Sequence, residues 1–251
     1  MTHIHHRRFF VPAEAIQGGV VEFGRDQAHQ IARVLRLAVG DQVAVLDGTG
    51  REWTARLTDA TPRRVTARLG REVGRASPPR LPLTLAQVIP RGAAMDLIVE
   101  KATELGVTRI VPVEAERSVR RATGRTRRWA RIACEAAEQC GRRDLPVLAA
   151  PCSLAEWLRQ HAAGTPLLAC HAGPGIAPLA EVCRELQPMA ALTLLVGGEG
   201  GLSPDEVARV TSRGARLVWL GPRLLRVETA ALVAVALVQA LLGDLAVREP
   251  V

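Results

Sequence analysis

Two segments near the end of the chain carry residues that could do chemistry. The apolar run Leu192–Val196 empties into Gly197-Gly198-Glu199-Gly200-Gly201. A second run, Leu217–Leu220, empties into Gly221-Pro222-Arg223-Leu224-Leu225-Arg226-Val227-Glu228-Thr229-Ala230, and a long apolar helix follows. Glycine lets the main chain approach a ligand closely and takes positive φ without a Cβ penalty. Two such loops beside one helix therefore suggest a ligand pocket made from backbone. Four glycines in five positions exceed what a tight turn needs. Amides near the helix start at Ser203 could hold a carboxylate or hydroxyls. Glu199 could contact that ligand or act as a base, and Arg226 could stabilise developing negative charge. The bland alternatives are a ligand-free turn, a solvated Glu199, and a helix simply capped by Glu228 or Thr229. There is no GxGxxG after the first strand and no GxxxxGK[ST], so neither dinucleotide nor P-loop rules apply.

Three further clusters stand earlier in the chain. Arg33-Val-Leu-Arg36 follows His29 by one helical turn, and Arg7 and Arg8 could join them as phosphate contacts. Arg117 and Ser118 follow the apolar strand Arg109–Val113, at the carboxyl end where α/β sites sit. Glu135 and Gln139 share a helix face at i, i+4, with Glu138, Arg142 and Arg143 close by. Each also reads as an ordinary solvated surface with ion pairs.

The elements that must position these residues fall into two textures. Val43–Leu46, Glu52–Leu57 and Arg64–Leu69 read as strands, with Asp47-Gly48-Thr49-Gly50 as a hairpin turn. Asp26–Leu37 has helical spacing of Ile31, Val34 and Leu35. Residues 1–70 thus predict a small, mostly β barrel. Residues 71–82 predict a linker, because the stretch Gly70–Pro82 is rich in glycine and proline. From residue 83 to 251 strands alternate with helices, which implies a mostly parallel α/β sheet. The strands are Leu83–Val88, Arg109–Val113, Leu167–Cys170, Leu192–Val196 and Leu217–Leu220. The helices are Met95–Leu105 ending at Gly106, Arg127–Gln139, Leu179–Leu186, Ser203–Ser212 and Glu228–Leu242. Ser203-Pro204-Asp205-Glu206 is a strong helix start, with an N-cap serine, proline at N1 and acids in the first turn. The final helix is apolar all round, which calls for burial by more than one sheet face, and a homodimer interface is a natural candidate.

Composition bounds the function. At 251 residues and 48% apolar content the chain can bury a substantial core. No stretch is long and apolar enough for a transmembrane helix, and MTHIHHRRFF lacks an apolar signal core, so a cytoplasmic protein is expected. Five cysteines without a CxxC pair argue against a disulfide framework and against zinc, and no metal is expected. His3, His5 and His6 read as incidental or as part of a basic arm. Net charge is +8, carried almost wholly by arginine since Lys101 is the sole lysine. Such an excess favours a polyanionic partner, most simply nucleic acid. With 3% aromatics and no tyrosine, a base-stacking platform is unlikely, so recognition would rest on arginine contacts.

Several segments, in order, resemble the SPOUT-class methyltransferases that modify uridine N3 in small-subunit ribosomal RNA. They are Arg7-Arg8-Phe9-Phe10; His29 with Arg33-Val-Leu-Arg36; Lys101-Ala-Thr-Glu104-Leu-Gly-Val107; Arg117-Ser118; Glu135-Ala-Ala-Glu138-Gln139 with Arg142, Leu145 and Pro146; Gly197–Gly201; and Leu220-Gly221 through Arg226-Val-Glu228-Thr-Ala230. The likeness covers nearly the whole chain, and position 198 is glycine where the family's loop usually has proline.

The resemblance implies a C-terminal trefoil-knot domain binding S-adenosylmethionine, an N-terminal PUA-like barrel gripping RNA, and a homodimer. It implies N3-methylation of uridine 1498 in 16S ribosomal RNA of the small subunit. Carried onto this chain, the cofactor residues are Val196, Gly197, Gly198, Glu199, Gly200, Gly201, Leu220, Gly221, Leu224, Leu225, Arg226, Thr229 and Ala230. Candidate catalytic residues are Arg226 and Arg117 for anion stabilisation and Glu199 or Glu135 as base. RNA contacts fall to Arg7, Arg8, His29, Arg33, Arg36, Arg117 and Arg143. The competing readings are the same chemistry on another RNA, such as a ribose 2′-oxygen of transfer RNA, or a catalytically silent RNA-binding protein.

Overall fold

A computed structural model describes residues 7–118, 124–162, 164–186 and 189–245. The terminal histidines His3, His5 and His6 lie outside the described residues. The chain forms two compact units, one of residues up to Pro78 together with Cys134–Leu145, the other of Pro79–Ala133 and Pro146 onward.

The N-terminal unit is a mixed six-stranded sheet. Its strands are β1 (Arg8–Phe10), β2 (Ile16–Gln17), β3 (Val20–Glu22), β4 (Gln42–Leu46), β5 (Arg51–Thr61) and β6 (Arg64–Arg75). They run in the order β1-β4-β5-β6-β3-β2; β1 and β4 are parallel and the other pairs antiparallel. Between β3 and β4 lies the short helix α1 (Arg25–His29), which continues as a wide π turn over Gln30–Val34. Ala28 and Ile31 turn into a core with Phe9, Phe23, Val45, Leu57 and Val65.

Two expectations are corrected in this unit. The helix does not reach Leu37. The π turn ends it, Arg36 takes a left-handed φ of 51°, and Leu37 swings back to donate its N–H to Ile31 O at 3.0 Å and bury its side chain. Nor does the linker begin at residue 71: β6 runs on to Arg75, paired with β5 from Arg51 to Thr61. The glycines there allow close approach rather than looping. A Cβ at Gly70 would lie 2.7 Å from Thr54 Oγ1. The unit also takes in Cys134–Leu145, which lies outside residues 1–70; Ala137 and Leu145 pack with Phe10 and Leu46.

The C-terminal unit is a parallel sheet with helices on both faces. In chain order it holds β7 (Leu83–Val88), α2 (Ala94–Glu104), β8 (Arg109–Glu114), α3 (Thr126–Cys140, whose first residues belong here), β9 (Val147–Leu148), β10 (Cys152–Ser153), α4 (Leu154–Gln160), β11 (Leu167–Cys170), α5 (Leu179–Glu185), β12 (Leu192–Val196), α6 (Pro204–Ser212), β13 (Arg216–Val218) and α7 (Val227–Leu241). The sheet order is β10-β8-β7-β12-β11-β13, with β9 beside β8, and every pair is parallel.

A parallel sheet covered on both faces needs strands that are apolar throughout, and all five residues of β12 are buried. Alternation then divides them between two cores. Leu192, Leu194 and Val196 meet α2, α5 and α7 on one face, while Leu195 meets α4 and α6 on the other. Among the described residues no helix is long and apolar enough to cross a membrane.

Candidate active site

In the C-terminal unit, β12, β11 and β13 are neighbours, so all three parallel strands deliver their carboxyl ends to one edge. That edge opens a cleft of about 1030 Å³. Its walls are the Gly197–Gly201 loop after β12, Cys170-His171-Ala172 after β11, and the segment Trp219–Glu228 after β13, with Ala230 on α7.

The glycine loop is built to a tight tolerance. Gly201 N–H donates to Gly198 O at 3.0 Å, closing a turn over Glu199 and Gly200. A Cβ at Gly197 would come within 3.0 Å of Gly201 Cα, so only glycine lets the two ends of the turn meet. The second loop needs glycine for another reason: Gly221 has φ of 113°, which side chains rarely adopt. A Cβ at Gly201 or Gly221 would meet no protein atom within 4 Å, so the space beside these backbones is open to a ligand.

Side chains brace the loop from behind. The buried Gln87 at the end of β7 donates through Nε2 to Val88 O at 2.8 Å and Gly197 O at 3.3 Å. Glu199 Oε1 accepts from Arg91 N–H at 2.8 Å, and Arg117 donates through Nη1 to Gly200 O at 3.0 Å. Arg117 is in turn placed by Glu206. This carboxylate is 4% exposed and closes a capping box: Oε2 accepts from Ser203 N–H at 2.9 Å, while Glu206 N–H donates to Ser203 Oγ at 3.3 Å. Its other oxygen accepts from Glu116 N–H at 2.8 Å, which fastens the turn carrying Arg117 to the start of α6. Charge-assisted bonds of this kind are the strong ones.

The structure brings most of the expected cofactor residues into one cleft: Val196, Gly197 through Gly201, Leu220, Gly221, Leu224, Leu225, Arg226 and Ala230 all line it. Thr229 does not; it is exposed on α7 and outside the cleft lining. Of the four catalytic candidates, Arg226, Glu199 and Arg117 line the cleft. Glu135 lies on the stretch of α3 that belongs to the N-terminal unit and is not among the lining residues of this cleft.

Arg226 occupies the N-cap position of α7, exposed and with no side-chain bond among the described residues. Leu224 is fully exposed at the rim. The lining also holds residues absent from the cofactor and catalytic sets above, chiefly Cys170, His171, Trp219, Arg223 and Glu228. The carboxyl end of β11 was the missing signal: a strand end in a parallel sheet is a site position even without glycine. Cys170 is a wall rather than a nucleophile, since burial pushes its thiol up to about 12.

The expected RNA contacts divide. Arg7 is half-buried, and His29, Arg33 and Arg36 are exposed around α1 and its π turn. Arg8 is corrected: its side chain is 6% exposed, ion-paired to an equally buried Glu52 at 3.0 Å, and it donates to Arg142 O at 3.1 Å. It ties β1 to β5 across the intervening β4 and is unavailable to a phosphate. Arg143 also binds Glu52, at 2.6 Å, though it is 42% exposed. Among the described residues no group of three His, Cys, Asp or Glu side chains could hold a metal ion.

Residues 77–239 match the sequence profile of an RNA methyltransferase domain, and residues 23–70 that of an RNA methyltransferase PUA domain. A parallel sheet with a backbone-built cleft at its carboxyl edge, preceded by a PUA domain, defines a SPOUT-class α/β protein. The ribosomal RNA small subunit methyltransferase E of Synechocystis is 36% identical over 94% of this chain and 78% of its own length. That of Mycobacterium tuberculosis is 33% identical over 92% and 90%. A crystal structure of the Neisseria gonorrhoeae ribosomal RNA small subunit methyltransferase E, bound to S-adenosyl methionine, superposes with a TM-score of 0.85 at 32% identity, covering 95% of this chain and 99% of that one. The structure of a Legionella pneumophila putative methyltransferase with bound S-adenosyl methionine gives 0.83 at 30% identity over 95% and 99%. The chain belongs to the RNA methyltransferase family.

Proposed function

We propose that the chain methylates N3 of uridine 1498 in 16S ribosomal RNA of the small subunit, using S-adenosylmethionine. The observation that carries this reading is the cleft built from two glycine loops, with Arg117 and Arg226 among its lining. Its residues fit the cofactor. Backbone exposed at Gly201 and Gly221 leaves room for a ligand held against the main chain, and the loop carbonyls suit a sulfonium better than an anion.

When bound, the cofactor supplies an electrophilic methyl group and leaves as a neutral thioether. The protein must deal with the uridine N3 proton, which is lost only well above neutral pH. As that proton leaves, negative charge spreads over N3 and the two flanking carbonyl oxygens. Arg226 has all its side-chain donors free to meet that charge, and Arg117 has donors beyond the one held by Gly200 O. Glu199 keeps one oxygen on Arg91 N–H and has the other available to accept the proton, with solvent as the final acceptor. Holding uridine and methyl in line supplies much of the remaining acceleration.

We further propose a homodimer in the cytoplasm. Leu97 on α2 and Leu241 on α7 are each 39% exposed, and α7 leaves apolar side chains half-covered. A second copy of this surface would complete their burial.

The deciding experiment is methyl transfer from labelled S-adenosylmethionine to small ribosomal subunits from cells lacking the activity, followed by nucleoside analysis. The expected product is 3-methyluridine. Label in another nucleoside would move the target, and cofactor binding without any transfer would leave a silent RNA-binding protein.

A further inference from the structure

Most arginines of the N-terminal unit fall into two sets. Arg8, Arg51, Arg56, Arg64, Arg75, Arg142 and Arg143 each hold a carboxylate or a backbone carbonyl. Arg25, Arg33, Arg36, Arg63, Arg68 and Arg71, with His29, are exposed and have no side-chain bond among the described residues. Arg25, His29 and Arg33 follow one another at four-residue steps along a continuous helical run. That spacing puts the three side chains about 6 Å apart along the axis, the scale of one nucleotide step in an extended strand. Arg36 comes next, the only non-glycine residue with positive φ among those described. A strained residue persists where the surrounding structure or a function requires it.

At the other end of the helical run lies a notch of about 670 Å³, lined by Glu22, Phe23, Gly24, Arg25, Pro62 and Arg63. Arg25 and Arg63 are its cations. The Glu22 carboxylate faces Arg64 at 3.9 Å and so is partly neutralised. Pro62 gives it an apolar edge, while the lining Phe23 is mostly buried in the core behind it. Paired cations beside an apolar edge suit a phosphodiester with its sugar, and the guanidinium fork matches phosphate oxygens.

We propose that Arg25 and Arg63 form a phosphodiester subsite for the substrate RNA, continuous with a track through His29 and Arg33 to Arg36. The subsite rests on the RNA methyltransferase reading and adds to it a place where the strand is held away from the reacting base.

The test is binding of a fluorescein-labelled single-stranded RNA to the full chain over a salt series. The variants are R25Q/R63Q, with R71Q as a control for one exposed, unbonded arginine outside the track. The double variant is expected to bind at least about tenfold more weakly at low salt, with a log–log salt slope shallower by about 0.7, the contribution of one neutralised single-strand phosphate. Cofactor binding by calorimetry and the melting temperature should be unchanged. Arg36→Gly should raise the melting temperature by relieving the left-handed strain while weakening RNA binding. If R25Q/R63Q matches R71Q in affinity and slope while the parent chain binds RNA, the subsite is wrong and the RNA reading stands. If the parent chain binds no RNA, both fall.

Discussion

Among the described residues each unit has one deeply buried glutamate, and the two are used in opposite ways. Glu52, in the N-terminal unit, gathers cations: Arg8 at 3.0 Å and Arg143 at 2.6 Å. Glu206, in the C-terminal unit, gathers backbone: the N–H groups of Ser203 and Glu116. The first carboxylate balances charge in a unit crowded with arginine. The second sets the position of a loop that a ligand must lie against. A surface that has to present positive charge needs some of its arginines neutralised in the interior. A pocket made of main chain needs its amides held still. The same side chain serves either end, depending on what its two oxygens meet.

Substitution should separate these uses. Glu52→Ala would leave Arg8 as an uncompensated buried charge and is expected to cost about 3–5 kcal/mol. Glu52→Gln should do nearly as badly, because the charge is what matters. Chemical denaturation followed by far-UV circular dichroism measures both, and a mild Gln variant would sink the charge-balancing account. At Glu206 the loss should be smaller, about 1.5–3 kcal/mol for Ala, as expected for hydrogen bonds to a charged group. Here Gln should restore roughly half, since one amide oxygen can replace one of the two acceptors. Equal damage from Gln and Ala would remove the contrast.

A purely kinetic effect of comparable size is expected in the cleft. Arg226→Ala is expected to cut turnover by about 10²–10³-fold, the scale of losing one preorganised donor, with cofactor affinity little changed. A matched loss of turnover and cofactor affinity would make Arg226 a binding residue instead.

A pH-dependent effect concerns Glu138, which accepts from Phe10 N–H at 2.9 Å. Burial is the main cause that pushes its carboxyl from 4.5 up to about 7. The folded state therefore holds this proton more tightly than the unfolded chain does. Its stabilising contribution is full below about 4.5 and is lost as pH rises to about 7. Glu138→Gln keeps an acceptor for Phe10 and should flatten stability over that window. A parent chain whose stability already shows no fall between those pH values would contradict the burial argument.

How much could be read beforehand depended on burial and length. Leu83–Val88, Leu167–Cys170 and Leu192–Val196 were legible to the residue, because a strand covered on both faces is mostly apolar along its length. The start of α6 was legible from Ser203 and Glu206 alone. Short elements were not: β9 and β10 have two residues each, and α4 is a seven-residue helix whose core contribution is Leu154, Trp157 and Leu158. These form because the sheet is there to receive them. In the cleft, the glycine loops were visible as composition, whereas Trp219 and His171 became site residues only once β11 was placed between β12 and β13. The role of Arg8 was misjudged because an arginine's type does not reveal that Glu52, far along the chain, will bury it.

The ion cluster around Glu52 also has a consequence in time. Its members Arg8, Glu52 and Arg143 are contributed by widely separated parts of the chain, and Leu145 completes the packing around Phe10 and Leu46. During synthesis, which proceeds from the N-terminus, residues up to Pro78 emerge with Arg8 and Glu52 present but the rest of their unit still unmade. Completion of this unit therefore waits on residues made only after β7, α2 and β8 of the other unit. Until Arg143 and Leu145 have left the ribosome, the nascent barrel must wait with an apolar seam and part of its charge cluster open to water.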